Sequence, residues 1–219
     1  MRRPGRREGD VRVVVGAENL TAIAEVLAES DRIRYLTETL RREMVAELRW
    51  PATGGDLESG IDVDALGLDD VERTMLEVAL RNDVLDQLEK WDLGQGLGRI
   101  TGERLLRSAA MIVVTAPGPD PPIDYVRAGM VAESVWICAH GLGLAVQPTS
   151  PVFLYAEDDD DLVRLCAPRV DAVLRLRSAL DLSLGTKSGE RYAILLRVGR
   201  GGASEPIRSA RRSDRVRRS

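Results

Sequence analysis

The sequence predicts a mixed α+β domain in which a small mixed sheet is wrapped by helices. Three short runs rich in β-branched and aliphatic residues indicate strands, namely Val11–Val15, Ala110–Thr115 and Tyr192–Val198. Long segments with apolar residues at helical spacing separate these runs. Strands separated by long helices are typical of this fold class, because each amphipathic helix buries its apolar stripe on a sheet face.

The bulk composition is that of one domain with a basic segment at each end. The chain has 219 residues, 44% of them hydrophobic, which is enough for one full core. We expect residues 1–10 to form a disordered basic lead-in, residues 11–199 to form the domain, and residues 200–219 to form an Arg-rich tail.

Charge and cysteine content restrict the environment and the partners. The formal net charge of −4 combines +2 in residues 1–10, +5 in residues 200–219 and −11 in between. The acidic body disfavours nucleic acid, so any such contact belongs to the tails. Two cysteines give no disulfide framework, which favours the cytoplasm. The sequence contains no run of about 18 apolar residues, which is the length that would indicate a membrane-spanning helix.

In the first half of the chain, helices follow the first strand in close succession. A helix with apolar residues at the i, i+3, i+4, i+7 spacing from Leu20 to Leu27 follows Gly16, and Asn19 is its predicted N-cap. A second helical segment runs from Leu40 to Leu48 and is broken by Trp50-Pro51.

The middle of the chain predicts three further helices. Asp69 and Glu72 have the spacing of a capping box, so a helix begins there. A short helix covers residues 84–91, and the glycine-rich segment from Gly94 to Gly98 is a flexible loop before a helix at Glu103–Ser108.

The segment from Arg127 to Tyr155 is the most informative part of the chain. A helix of small and apolar residues from about Ile123 to His140 ends at Gly141 and Gly143, which suit a helix stop. We expect this helix to be buried on all sides, because nearly every face carries apolar or small residues. Its small residues also let something flat or bulky approach closely. The next three residues predict a short buried strand that Pro148 and Pro151 end.

This segment resembles the late helix and following loop of the nitroreductase family, in particular its Acg-like branch. The Gly-Leu-Ala-Val-Gln-Pro run from Gly143 to Pro148 carries the resemblance, and other pieces agree in order along roughly residues 11–212. They are Asp31-Arg32-Ile33-Arg34-Tyr35-Leu36, Glu47-Leu48-Arg49-Trp50, Gly60-Ile61-Asp62 and Arg208-Ser209-Ala210-Arg211-Arg212. The resemblance implies a nitroreductase-like fold and a homodimer with flavin mononucleotide (FMN) at its interface.

Two groups of residues become candidates for holding that flavin. A reduced flavin needs hydrogen-bond donors near N5 and its pyrimidine edge, and the predicted loop presents Gln147, Pro148, Thr149 and Ser150, of which Pro148 has no N–H. A bare helix-to-strand connection is the alternative interpretation. Family members place a C-terminal arginine cluster on the flavin phosphate, which implies the same role for Arg208, Arg211 and Arg212.

Other motifs are assigned no chemistry. Four adjacent acids at Asp158–Asp161 favour a helix start over a metal site, because they cannot all face one ion. His140 has no partner at metal or triad spacing, and Cys138 is expected to be a buried thiol. Gly94–Gly98 lacks the preceding strand of a dinucleotide-binding loop.

The resemblance leaves two hypotheses of function. The first is an FMN-dependent NAD(P)H oxidoreductase that reduces a nitro-aromatic, quinone or similar acceptor without a catalytic side chain. Nitroreductases carry a flavin-phosphate segment ahead of their first strand, and only ten residues precede Val11 here. The second hypothesis of function is therefore a non-catalytic flavin-binding or dimerisation module, such as the C-terminal part of a ThiF-type fusion protein.

Overall fold

The computed structural model describes residues 10–50, 60–117, 121–156, 158–186 and 190–201. Contacts divide the chain into two compact units. Among the described residues, the first contains Asp10–Ile33 and Gln95–Gly201, and the second lies within Arg34–Gly94. The expected lead-in at residues 1–9 and the tail beyond Gly201 lie outside the described residues.

The first unit contains a four-stranded sheet among its described residues. The strands are β1 (Asp10–Val14), β4 (Ala110–Pro117), β5 (Leu144–Thr149) and β6 (Glu190–Arg200). They lie in the spatial order β1-β4-β6-β5, and all neighbouring strands pair antiparallel. The helices are α1 (Ala17–Leu36, up to Ile33), α5 (Arg99–Leu106), α6 (Pro121–Gly141), α7 (Asp159–Cys166) and α8 (Val170–Leu184).

The second unit is mainly helical. Leu48–Arg49 (β2) pairs with Ile61–Asp62 (β3) in parallel, and a short 3-10 helix follows. The helices are α2 (Glu38–Glu47), α3 (Asp70–Ala79) and α4 (Asn82–Lys90). Together, the small sheets and the surrounding helices confirm the predicted α+β class.

Two predicted helix starts agree with the structure because their signals are local. Asp69 accepts a hydrogen bond from the backbone N–H of Glu72, and the Glu72 carboxylate accepts one from the N–H of Asp69. Asp158 caps α7 by accepting from the N–H of Asp161. Each cap needs only residues within one helical turn of each other, so the sequence contains the whole motif.

The predicted N-cap at Asn19 was wrong. The first helical hydrogen bond runs from Leu20 N–H to the carbonyl of Gly16, so Asn19 lies inside the first turn of α1. The Asn19 amide donates to the carbonyl of Val15 instead. Gly16 has φ of +92°, a left-handed conformation that glycine adopts without a Cβ penalty, and this turn sets where α1 begins.

The glycine-rich segment before α5 is not the flexible loop that the sequence predicted. Gln95–Gly98 forms a 3-10 helix, and α5 begins at Arg99, four residues earlier than expected. Gly98 packs against the backbone of Ala28 in α1, and Thr101 of α5 donates a hydrogen bond to Asp31 of α1. Tertiary packing therefore orders a segment whose composition is that of a loop.

Candidate functional site

Helix α6 forms one side of the candidate site. It begins at Pro121 rather than at Ile123, because proline is well tolerated in the first turn, where its missing N–H has no helical partner. Its small residues Ala128 and Ala132 are buried against Val114 and Ala116 of β4. Alanine side chains let the helix approach the sheet closely, so this face of the sheet and the helix form one apolar layer.

The expectation that α6 is buried on all sides is not met in the described chain. The side chains of Met130 and Ile137 are 64% and 63% exposed, and Val126 and Trp136 are exposed as well. The helix therefore packs on the sheet through its alanines and leaves larger apolar side chains accessible. The left-handed Gly143 (φ +71°) then directs the chain into β5, as predicted.

An apolar groove with a volume of about 680 Å³ lies between α6 and the α6-facing side of the sheet. Its walls combine exposed valines of the edge strand β1 with one stripe of α6 and single residues of the other strands. The lining residues are Val11, Val13, Ile112, Arg127, Met130, Val131, Ser134, Val135, Cys138, Ala139, Leu142, Leu144 and Val198. From Arg127 to Ala139 the groove follows about 18 Å of α6.

One charged cluster lies at the Arg127 end of this groove. The guanidinium of Arg127 is 3.3 Å from the carboxylate of Asp124, one turn earlier in α6. The same carboxylate is 3.8 Å from the guanidinium of Arg191 in β6, which also lies over the ring of Tyr125 at 5.7 Å. Asp124 is only 3% exposed, so a buried carboxylate holds the two arginines at this end of the groove.

Sequence reasoning did not identify this cluster. The i, i+3 spacing of Asp124 and Arg127 is a usable signal, since such residues are neighbours on a helix. Arg191 comes from a strand more than sixty residues later, and only the sheet topology brings it to Asp124. A sequence pattern therefore contained half of the cluster.

The predicted flavin loop is a strand in the structure. Gln147, Pro148 and Thr149 pair with Arg197, Leu196 and Leu195 of β6, so Pro148 does not end β5. Proline is tolerated there because β5 is an edge strand, where a residue without an N–H need not break a second ladder. The prediction that Pro148 ends the strand and begins a loop was wrong, because the sequence does not show which strands are edges; β5 ends at Thr149, before Pro151.

The candidate flavin residues do not converge on the groove. The Gln147 side-chain carbonyl accepts a hydrogen bond from Arg197. Val198 lines the groove, so strand alternation places Arg197 and Gln147 on the opposite face of the sheet. Pro148 lies on the groove's side, and Ser150 follows the strand. The predicted phosphate ligands Arg208, Arg211 and Arg212 lie outside the described residues.

The two cysteines and the histidine lie in different surroundings. Cys138 is exposed and lines the groove, which corrects the prediction of a buried thiol, while Cys166 is buried and burial raises the pKa of its thiol. His140 lies in the last turn of α6, as predicted. Within the described ranges, no group of three His, Cys, Asp or Glu side chains has the geometry of a metal site.

A second polar cluster lies on the face of the sheet opposite the groove. The hydroxyl of Tyr192 donates to Asp181 at 2.5 Å and lies 2.8 Å from the hydroxyl of Thr186. Arg12 and Glu190 form an ion pair at 2.5 Å between the first and last strands of the sequence. Burial of Tyr192, and next the hydrogen bond to Asp181, raise the pKa of its phenol well above the usual 10.0.

This raised pKa predicts an alkaline loss of stability that depends on Tyr192. A raised folded-state pKa contributes stability that is present below pH 10, the unfolded value, and disappears as the pH rises further. Tyr192→Phe should cost about 1 kcal/mol at pH 7. The variant should then approach the wild type as the pH rises above about 10. Urea unfolding of both proteins between pH 7 and 11 measures this, and a constant difference would contradict it.

The size and lining of the groove bear on whether it could hold FMN. Its volume lies in the range of small-molecule sites, and its aliphatic walls suit an apolar ring. Arg127 provides a cation for a phosphate at one end. A pyrimidine edge needs polar partners as well, and the Ser134 hydroxyl donates to the carbonyl of Met130. Further donors for that edge would come from beyond the described walls.

Comparison of the sequence with known proteins finds a relative that matches most of this chain. No protein-family model matches the chain. The uncharacterized protein MT1398 of Mycobacterium tuberculosis (strain CDC 1551 / Oshkosh) is 42% identical over 187 residues, which are 85% of this chain and 26% of that protein. The chain thus spans about a quarter of the length of this curated relative.

Two solved structures show a partial likeness to this chain. The nitroreductase-like family protein from Bacillus cereus is 14% identical with a TM-score of 0.45, covering 94% of this chain and 69% of its own. The FMN-dependent nitroreductase NfnB from Mycobacterium smegmatis, solved in complex with NADPH, is 16% identical with a TM-score of 0.45, covering 93% and 74%. Likenesses at this level assign no function to this chain.

Proposed function

We propose that this chain is an FMN-dependent NAD(P)H oxidoreductase of nitroreductase type. The observation that carries the proposal is the groove beside α6, which is apolar, large enough for a flavin and lined by Arg127 at one end. It lies along the same helix whose sequence resembles the flavin-binding segment of nitroreductases. Bound FMN would supply hydride transfer from NAD(P)H to an acceptor such as a nitro-aromatic or a quinone.

In this proposal the protein binds and shields the flavin and donates no proton of its own. One wall consists of the valines of β1 and single aliphatic residues of β4, β5 and β6. The other wall is the stripe of α6 around Val131 and Val135. A flavin bound between the walls and covered by a partner subunit would be shielded from water, which would strengthen electrostatic interactions inside the site. Of the predicted flavin contacts, Pro148 and Ser150 remain candidates in this groove, whereas Gln147 and Thr149 lie on the opposite face of the sheet. Arg208, Arg211 and Arg212 remain candidates for a second phosphate contact.

The proposed assembly is a homodimer that covers α6. The exposed apolar side chains of α6, Val126, Met130 and Ile137 among them, support an interface on this helix. A partner subunit would also supply the donors for the pyrimidine edge that the groove walls lack. In the part of the chain that the structure describes, no helix has the length and apolarity to span a bilayer, and a cytoplasmic location remains part of the proposal.

Filling the groove should abolish flavin binding. Val135→Trp places an indole where the proposed ring lies, so FMN affinity should fall about tenfold or more (about 1.4 kcal/mol or more). Val163→Trp is the matched control, since Val163 is an exposed valine on α7 outside the groove. Flavin absorbance after gel filtration and calorimetric titration with FMN measure binding, and light scattering of the same samples measures the dimer.

The outcomes separate the proposal from its alternative. Wild-type protein that binds FMN and oxidises NADH or NADPH with a quinone supports the oxidoreductase. Binding without turnover for any acceptor selects the non-catalytic module. Wild-type protein that binds no flavin, or a Val135→Trp variant that binds it as well as the wild type does, overturns the assignment of the groove.

A further inference from the structure

We infer that the open edge of β1 binds β1 of a second copy of this chain, with the two strands antiparallel about a two-fold axis at Val13. This inference rests on the proposed function in one respect, since it names the element through which the proposed homodimer forms. Three properties of β1 support the pairing: an unprotected edge, a row of exposed valines and a self-complementary sequence.

The two edges of the four-stranded sheet differ in their protection. β1 and β5 are its outer strands among the described residues. β5 contains Pro148, which has no N–H to offer to a further strand. β1 contains no proline, no lysine and no bulge, which are common means of protecting an edge. Among the described strands only β4 pairs with β1, so alternate N–H and C=O groups of β1 face away from the sheet.

Three exposed valines follow one face of this edge. Val11, Val13 and Val15 are 37%, 61% and 57% exposed. Val11 and Val13 line the groove, so strand alternation places these valines on the α6-facing side of the sheet. Arg12 lies on the other face, where it forms an ion pair with Glu190 at 2.5 Å and is only 17% exposed. The one cation of β1 is therefore directed away from the valine row and does not repel a second strand there.

The segment from Val11 to Val15 is self-complementary in one register. A two-fold axis perpendicular to the sheet requires residues that point to the same face to lie opposite each other. An axis at Val13 places Val13 against its own copy and Val11 against the partner's Val15, so every exposed valine meets a valine. An axis at Arg12 would oppose two like charges, and an axis at Val14 would leave Val11 without a valine. The axis at Val13 is therefore the most favourable register.

The exposed side chains of α6 face the same contact. Met130 and Leu142 are 64% and 77% exposed, and they line the groove together with Val11 and Val13. A two-fold axis perpendicular to the sheet keeps the α6 helices of both copies on one face of the joined sheets. The valine row and the apolar side chains beside it then lie on the same side of one interface, as a self-complementary contact requires.

Engineered cysteines test the register. The background is Cys138→Ser, which removes the exposed thiol of the groove. In this background Val13→Cys should form an intermolecular disulfide under mild oxidation, because opposed residues of antiparallel strands have Cα atoms about 4.5–5.5 Å apart. Val11→Cys is the matched control, since the two copies of this residue would lie roughly 14 Å apart and should not cross-link. Combining Val11→Cys with Val15→Cys should restore the cross-link, which non-reducing electrophoresis measures.

A charged substitution tests whether this edge holds the copies together. Val13→Lys places two lysines opposite each other at the axis, so the dissociation constant of the dimer should rise about tenfold or more. Val163→Lys, at an exposed valine of α7 outside the groove, is the matched control and should leave the dimer unchanged. Light scattering over a concentration series measures the dimer, and circular dichroism confirms that each variant is folded. A misfolded Val13→Lys is replaced by Val13→Ser.

The outcomes separate this inference from the proposed function. A dimeric wild type in which Val13→Cys cross-links no better than Val11→Cys would overturn the pairing of β1 with its copy while the homodimer stands. A Val13→Lys dimer as tight as the wild type would do the same. A monomeric wild type would overturn both this inference and the proposed homodimer. Flavin binding is measured on the same samples, and its absence from a dimer that cross-links through Val13→Cys would overturn the oxidoreductase and leave the β1 interface intact.

Discussion

Replacing Gly98 with alanine will destabilise the first unit by about 3 kcal/mol. A Cβ atom at this position would lie 1.8 Å from the carbonyl oxygen of Ala28 and 2.8 Å from its Cα. These neighbours are backbone atoms of α1, so no side-chain rotation can relieve the clash. The 3-10 helix that contains Gly98 must move away from α1, and the hydrogen bond between Thr101 and Asp31 would be strained with it.

Gly96 provides the matched control for this substitution. It belongs to the same 3-10 helix, and a Cβ atom there would have no neighbour within 4 Å. Gly96→Ala should therefore be neutral or slightly stabilising, because alanine loses less backbone entropy on folding. Guanidinium unfolding of both variants measures the difference. Equal stability of the two variants would contradict the close packing of Gly98 on α1.

This contrast shows what the sequence could and could not predict about the fold. The strands β1, β4 and β6 were predictable because their β-branched and aliphatic runs are long and have clear ends. The helix starts at Asp69 and Asp158 were predictable because a cap is complete within one turn. Gly98 was interpreted as a flexible loop residue, since the contact that orders it comes from a helix seventy residues away.

The candidate site divides along the same line. The small-residue helix α6 and the glycine stop at its end are visible in the sequence, and they form one side of the groove. The sequence did not show that β1 valines form the opposite wall, because which strand lies beside which is a property of the topology. Pro148 was misinterpreted for the same reason: inside a strand, proline is tolerated chiefly where that strand is an edge, and the sequence does not show which strands are edges.

The second large expected effect is a loss of stability of the second unit when a salt bridge with one buried partner is broken. Arg41 in α2 is 2% exposed, and its guanidinium contacts the Asp86 carboxylate in α4 and the carbonyl of Tyr35, each at 3.1 Å. Asp86→Ala should destabilise the second unit by about 2 kcal/mol, because it leaves a buried guanidinium without its counter-ion. Asp86 itself is 63% exposed, so its own burial would not suggest such an effect.

The paired substitution and a surface control identify the cause of that loss. Asp83→Asn removes the carboxylate of an exposed pair with Arg81 on the same helix and should change stability very little, because exposed ion pairs are well screened. Adding Arg41→Met to Asp86→Ala should recover part of the loss, since no buried charge then remains unpaired. Chemical denaturation of the wild type, Asp86→Ala, Arg41→Met and the double variant gives the coupling free energy between Arg41 and Asp86. A double variant whose loss equals the sum of the two single losses would show that Arg41 stabilises α2 through its hydrocarbon contacts, and that its charge is solvated without Asp86.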